Sequence, residues 1–254
     1  MNTNFNIEMV THNLPANKTL FYPCCGNDIV DAIKYFHPII DTFFFCDINV
    51  YSIDRNENVK RINEILPNFD LFKSTEECFW MRNYDLRCRK KIISGRERIV
   101  EPLIYKRTRV RKLIQTWRSE KESRDITIIS ALGDGYEVFS NDELLTQIGI
   151  FFYRGDSYGE GGSDVRWLES ENEFQRDGYG RHIDTVLQKI ADKGLIVTDG
   201  SNIGNMYRFL KYSDVNSNKM NEATINNISF KLIGQLVTNH RDTYVWQIEK
   251  DNII

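Results

Sequence analysis

Short apolar runs that stop abruptly at polar residues recur along this chain, with amphipathic stretches between them. Leu20-Phe-Tyr-Pro-Cys-Cys-Gly26-Asn-Asp28 and Thr42-Phe-Phe-Phe-Cys-Asp47-Ile-Asn49 are the first two. A strand buried on both faces is apolar without alternation, so both read as interior strands. Between them Ile29, Ile33 and Phe36 share one face of a helix predicted over 28–36, and Pro38 lies just beyond its end. Ser52 is positioned to cap the next helix, whose Ile53, Ile62, Ile65 and Leu66 fall mostly on one face and which Pro67 ends. Further along, 125–130, 148–153 and 195–199 read as strands three, four and five. Before the fifth, Ile183, Val186, Leu187 and Ile190 follow the i, i+3, i+4, i+7 helical pattern, with Gly194 as a fitting terminator. Two strands, 229–237 and 243–248, close the pattern with a short polar connection.

Between about 68 and 123 this rhythm breaks into a basic and aromatic stretch, with a strand pair predicted over 91–94 and 102–114. The period of two in a strand puts Arg107, Arg109 and Arg111 on one face. Such a row can track phosphates while Tyr105 and Trp117 offer surfaces for stacking bases. The same basic residues on an edge hairpin would discourage edge-to-edge pairing, and both readings stand at this point. The stretch reads as an insertion, about 68–123, within a single domain spanning 1–254.

Composition sharpens this picture through charge. The formal total of −3 hides fifteen Lys/Arg and five Asp/Glu between Arg82 and Arg124, a surplus of ten that leaves −13 on the rest. A basic block on an acidic body suggests a polyanionic partner, nucleic acid first; the alternative is a salt-bridged surface meeting the acidic body. Otherwise 254 residues, 41% hydrophobic and 27% charged, describe an ordinary globular chain with one large core. No apolar run approaches the roughly 20 residues that cross a bilayer, and Met1 to Val10 lacks the basic start and apolar centre of a leader, so a cytoplasmic address is expected. The five cysteines form no C-x-x-C pair and the four histidines are scattered, which argues for reduced thiols and against a metal cluster.

The order of these elements, with its first loop Tyr22-Pro-Cys-Cys-Gly26-Asn-Asp28, resembles the class I S-adenosylmethionine-dependent methyltransferases. That resemblance implies an α/β, Rossmann-like three-layer sandwich: a mainly parallel seven-stranded sheet with a C-terminal antiparallel hairpin, here carrying a basic β-rich insertion. It implies S-adenosylmethionine as cofactor, held by the first-loop residues Tyr22, Pro23, Cys24, Gly26 and Asp28. Asp47, ending the second strand, would accept from ribose hydroxyls, since an ionised carboxylate offers two acceptor oxygens. Asp134 would meet the adenine amino group, with Gly135 offering a backbone amide. The usual acidic-x-Gly-x-Gly-x-Gly pattern is absent, because Tyr22 stands for the acid and a single glycine remains. After strand four, Asp156 and Tyr158 match the acid and aromatic of the amine-methylating loop without its proline pair, and Asp156 or Glu160 would take a proton from the acceptor.

Several alternatives stay open beside the resemblance. Gly26, Asp47 and the Gly-Asp134-Gly stretch are also ordinary turn and cap chemistry. Gly159-Glu-Gly-Gly-Ser163 could form an anion nest, although it lacks the Gly-Lys-Ser/Thr ending of a P-loop. Cys24 and Cys25 sit where a thiol can be activated, yet no histidine is visibly paired with them, which favours packing. The expected function is methyl transfer to an unidentified acceptor, with nucleic acid or a nucleotide favoured by the basic insertion. The alternatives are a catalytically inactive binding module and another nucleotide-using enzyme.

Overall fold

Leu20, Phe21 and Tyr22 pack into two different cores, because successive strand residues point to opposite faces of a sheet. That division runs through the whole structure, a computed structural model that describes residues 4–10, 17–23, 25–26, 28–47, 55–84, 90–93, 96–99, 105–133, 135–154, 182–199, 221–238 and 243–250. The strands are β1 (Thr19–Pro23), β2 (Thr42–Asp47), β3 (Asp70–Tyr84), β4 (Lys90–Ile93), β5 (Arg96–Ile99), β6 (Tyr105–Ser119), β7 (Arg124–Leu132), β8 (Ile148–Tyr153), β9 (Ile190–Thr198), β10 (Glu222–Ile225), β11 (Ile228–Leu236) and β12 (Thr243–Lys250). The helices are α1 (Val30–Phe36), α2 (Arg55–Ile65), α3 (Gly135–Asn141) and α4 (His182–Lys189).

Ten strands form one mixed sheet in the order β10-β11-β12-β9-β8-β1-β2-β7-β6-β3, while β4 and β5 pair separately. Five neighbours in the middle, β9, β8, β1, β2 and β7, are mutually parallel. The other pairings between these strands are antiparallel. On one face Leu20, Tyr22, Phe43, Phe45, Ile150 and Phe152 pack against Ile33 and Phe36 of α1 and Ile62 of α2. On the other, Phe21, Phe44, Phe151 and Tyr153 pack against Phe139 of α3 and Val186 of α4. Each such aromatic contributes roughly 1.5–3 kcal/mol by leaving water, which is why the central strands need no alternation.

This corrects the expected architecture. The sheet is mixed and ten-stranded rather than mainly parallel and seven-stranded, and only four short helices are present among the described residues, too few for a helix-rich Rossmann-like sandwich. The physical reason is the stretch read as an insertion. β3, unrecognised in the sequence, pairs along its whole length with β6, and β6 joins β7, so the basic segment extends the main sheet. The predicted pairing of 91–94 with 102–114 does not occur; β4 pairs with β5 instead.

Gly194 also has another role than ending a helix. It lies within β9, where an added Cβ would stand 2.9 Å from the Gly149 carbonyl oxygen of β8 and 2.6 Å from Ile190 Cγ1. The register on β8 jumps from Ile148–Ile190 to Ile150–Leu195, and Lys193 turns through a φ of 59° to take up the slack. A comparable close approach fixes the start of the chain. The register of β11 on β12 shifts between Leu232 and Gly234. There the Phe5 backbone lies 2.7 Å from the position of a Gly234 Cβ, and the Phe5 amide donates to the Gln235 carbonyl at 2.7 Å.

Candidate functional site

Numbered by chain order, the five parallel strands run third, second, first, fourth, fifth, so the direction of progression reverses between β1 and β8. α1, which follows β1, and α4, which follows β8, pack on opposite faces of the sheet, and in open α/β sheets such a reversal marks the crevice outside the carboxyl ends of the strands. The residues gathered there are Gly26 and Asp28 after β1, Asp47 at the end of β2, Arg154 directly after β8, and Asp31 in the first turn of α1.

The loop after β1 is tied to β2 by two bonds. The Cys25 amide donates to the Cys46 carbonyl at 3.3 Å, and the Gly26 amide donates to Asp47 Oδ2 at 2.9 Å. Gly26 has a φ of 50°, in the left-handed region, and an added Cβ would meet no described residue within 4 Å. Backbone with open space before it is what close approach by a ligand requires. Asp47 does stand at the end of the second strand as expected, but one of its oxygens already holds the loop.

Arg154 organises the other side of the crevice. Its Nη2 donates to Asp31 Oδ2 at 2.8 Å and to Asp28 Oδ1 at 3.3 Å, and its Nε lies at ion-pair distance, 3.1 Å, from Asp28 Oδ2. That Nε is not aligned as a hydrogen bond, and the buried Nη1 has no hydrogen-bond partner among the described residues, although the side chain is only 5% exposed. Burial opposes the guanidinium charge, but Asp28, Tyr22 and Asp31 together outweigh it and hold the Arg154 pKa above its ordinary value. Asp28 and Asp31 thus share one guanidinium.

Tyr22 and Cys25 support this frame from the core. The Tyr22 ring is buried 4.6 Å from that of Phe152, and its hydroxyl donates to Asp28 Oδ2 at 3.1 Å. Burial first, then the adjacent Asp28, push the phenol well above 10.0. Pro23 is buried as the last residue of β1, opposite Cys46. Cys25 is buried too, and burial, then Asp47 and Asp28, raise its thiol well above 9.0. A thiol held neutral in this way is a packing group, not an activated nucleophile.

Of the remaining expected site residues, Gly135 is a buried residue opening α3. Cys24, Asp134, Asp156, Tyr158 and Glu160 lie outside the described residues. Arg107 and Arg109 lie in β6, opposite Arg82 and Trp80 of β3, while the exposed Arg111 pairs with Glu76 at 2.8 Å. Arg154 and Asp31 went unrecognised in the sequence. The available signal was an arginine directly after Ile148-Gly-Ile-Phe-Phe-Tyr153, since a charge ending a fully buried strand needs a partner. Among the described residues no group of three His, Cys, Asp or Glu could hold a metal ion, and no helix is long and apolar enough to cross a membrane. The chain matches no protein-family model and no curated protein sequence.

Proposed function

We propose that this chain binds S-adenosylmethionine in the crevice between β1 and β8 and transfers its methyl group, with a nucleic acid or nucleotide as the acceptor class. The observation that carries the reading is the meeting of the strand-order reversal with the open backbone of Gly26 and the carboxylate of Asp47. Two features of the crevice fit this cofactor. The space before Gly26 admits a ligand against the backbone, and the two carboxylates Asp28 and Asp31, which share the single charge of Arg154, suit a ligand bearing sulfonium and ammonium charges.

The bound cofactor supplies an electrophilic methyl group. The protein's part is to hold and orient: Asp47 fixes the Gly26 loop, and Tyr22 and Arg154 fix Asp28. Methyl transfer needs mainly an aligned nucleophile, so such positioning supplies much of the rate. Asp156 or Glu160 would accept the acceptor's proton in this proposal.

A second reading has its own observation. Because the Gly26 amide occupies Asp47 Oδ2, the crevice also suits a binding module that no longer grips a ribose with both carboxylate oxygens. Titration calorimetry with S-adenosylmethionine and with its neutral demethylated product separates the two. Methyl transfer predicts binding of both, tighter for the cation, and weaker binding in Asp47→Asn and Arg154→Lys. Absence of heat at millimolar ligand would leave the binding module.

A further inference from the structure

The pairing of β3 with β6 creates a surface that the sheet does not use. β7 accompanies β6 only from Arg111, opposite Leu132, to Ser119, opposite Arg124. Beyond that limit β3 and β6 continue for six more pairs, from Phe79–Val110 to Tyr84–Tyr105. Among the described residues no third strand joins those pairs, so they form a two-stranded ribbon about 20 Å long at ~3.4 Å per residue. Its direction follows from the register. β6 runs against β7, and the extra pairs lie past Leu132, the carboxyl end of β7. Since β1, β2 and β8 run with β7, the ribbon leaves the sheet from the edge that carries Gly26, Asp47 and Arg154.

Residues 79–110, which include the β4–β5 hairpin, hold ten Lys/Arg against three Asp/Glu. Residues directly opposite in an antiparallel ladder share a face. Trp80, Arg82 and Tyr84 are thus on one face with Tyr105, Arg107 and Arg109, and Arg111 continues the row. Phe79, Met81, Asn83, Lys106, Thr108 and Val110 occupy positions on the other. Arg82 and Arg107 are direct partners. Like charges placed opposite one another destabilise a ladder, and a two-stranded ribbon has little else to hold it together. An anionic chain laid along this face would offset the repulsion.

We propose that this ribbon face binds single-stranded nucleic acid and leads it across the carboxyl edge of the sheet to the crevice. Guanidinium positions recognise successive phosphates, and interleaved aromatic positions offer platforms to unpaired bases. A duplex keeps its base faces stacked inside and gains only the phosphate part. The inference deepens the nucleic-acid reading of the acceptor given above and rests on it.

Fluorescence anisotropy on the full chain tests it, using a labelled oligodeoxythymidine of about 20 nucleotides and a duplex of the same length over a salt series. The single strand is expected to bind more tightly than the duplex. Combined Arg82→Ala, Arg107→Ala and Arg109→Ala should weaken it by about tenfold or more and lower the salt slope by about 2, at ~0.7 per phosphate. Trp80→Leu with Tyr105→Leu should weaken it about tenfold with the slope kept. Lys106→Ala, from the opposite face, should bind as the unaltered chain does, and circular dichroism melts show that each variant retains its folded body. Unchanged affinity in the triple variant overturns the ribbon assignment while nucleic-acid binding itself survives. Equal binding of duplex, or aromatic variants with full affinity, overturns the single-strand assignment. No binding of either polymer removes the nucleic-acid reading as well, whereas the cofactor is judged separately by calorimetry.

Discussion

Arg154 Nη2 and Asp31 Oδ2 lie 2.8 Å apart, joining the residue that follows β8 to the first turn of α1 with a side chain only 5% exposed. Asp28 completes the group, so one guanidinium binds two carboxylates across the point where the strand order reverses.

Removing that guanidinium strands both acids. Arg154→Met should destabilise the chain by about 3 kcal/mol, the lower end of the cost of breaking a buried pair. Arg154→Lys, which keeps the charge without the fork, should lose less. Urea unfolding of the three proteins measures both effects.

Cys25 should impose a pH dependence at the alkaline end. Its folded pKa is raised above the ordinary 9.0 by burial, then by Asp47 and Asp28. The native state therefore holds the thiol proton more tightly than the unfolded chain. Its contribution is complete below about 9 and falls as pH rises from there toward the folded pKa, with a slope approaching ~1.4 kcal/mol per pH unit. The stability difference between the unaltered chain and Cys25→Ala, measured by urea melts from pH 7 to about 10, should shrink over that window. A difference flat with pH would mean the thiol is not so held.

Lys112 and Asp142 form a buried ion pair on the other face, at 2.6 Å with 9% and 5% side-chain exposure. It clamps β6 to the turn after α3, and Asp142 Oδ1 also accepts the Leu144 amide at 3.0 Å. Lys112→Met should cost about 3 kcal/mol by leaving the acid unpaired. Pairing it with Asp142→Leu should recover part of that loss. A double-mutant cycle in urea gives the coupling.

Gly234→Ala should force the Phe5 segment away, because its Cβ would stand 2.7 Å from the Phe5 Cα. Overpacking of this kind costs roughly 1–3 kcal/mol. Hydrogen exchange offers the local readout, since the Phe5 amide donates to the Gln235 carbonyl and should lose protection before the strands do.

Gly26→Ala separates fold from ligand. Nothing obstructs the new methyl, yet the φ of 50° costs an L residue roughly 1–2 kcal/mol. Under the methyl-transfer proposal, affinity for S-adenosylmethionine should fall further than stability does, because the Cβ would project into open space needed by the ligand. Calorimetry and a thermal melt of the same variant compare the two losses.

Legibility in the sequence followed burial. β1, β2, β7 and β8 were readable because strands covered on both faces must be apolar throughout, and Phe43-Phe-Phe45 or Ile148 to Tyr153 hardly fit another setting. β12 was readable for the same reason, and β11, buried only at intervals, from its apolar Phe230, Leu232 and Ile233. β3 was not: at the sheet edge its Leu71 to Glu77 carry no apolar face, and Leu71 and Phe72 are exposed. The crevice was half legible. Gly26 and Asp47 were marked by position, whereas Arg154 and Asp31 are separated from Asp28 by 126 and 3 residues and meet only through folding.

By itself, then, the sequence determined which segments are interior strands and that a basic block sits on an acidic body, because apolar runs and charge counts are local quantities. Tertiary structure alone decided that the basic block extends the main sheet as a ribbon from its carboxyl edge, and that one buried arginine gathers Asp28 and Asp31. Strand pairing and ion pairing are contacts between distant residues. Their free energy depends on register and burial, which no local pattern specifies.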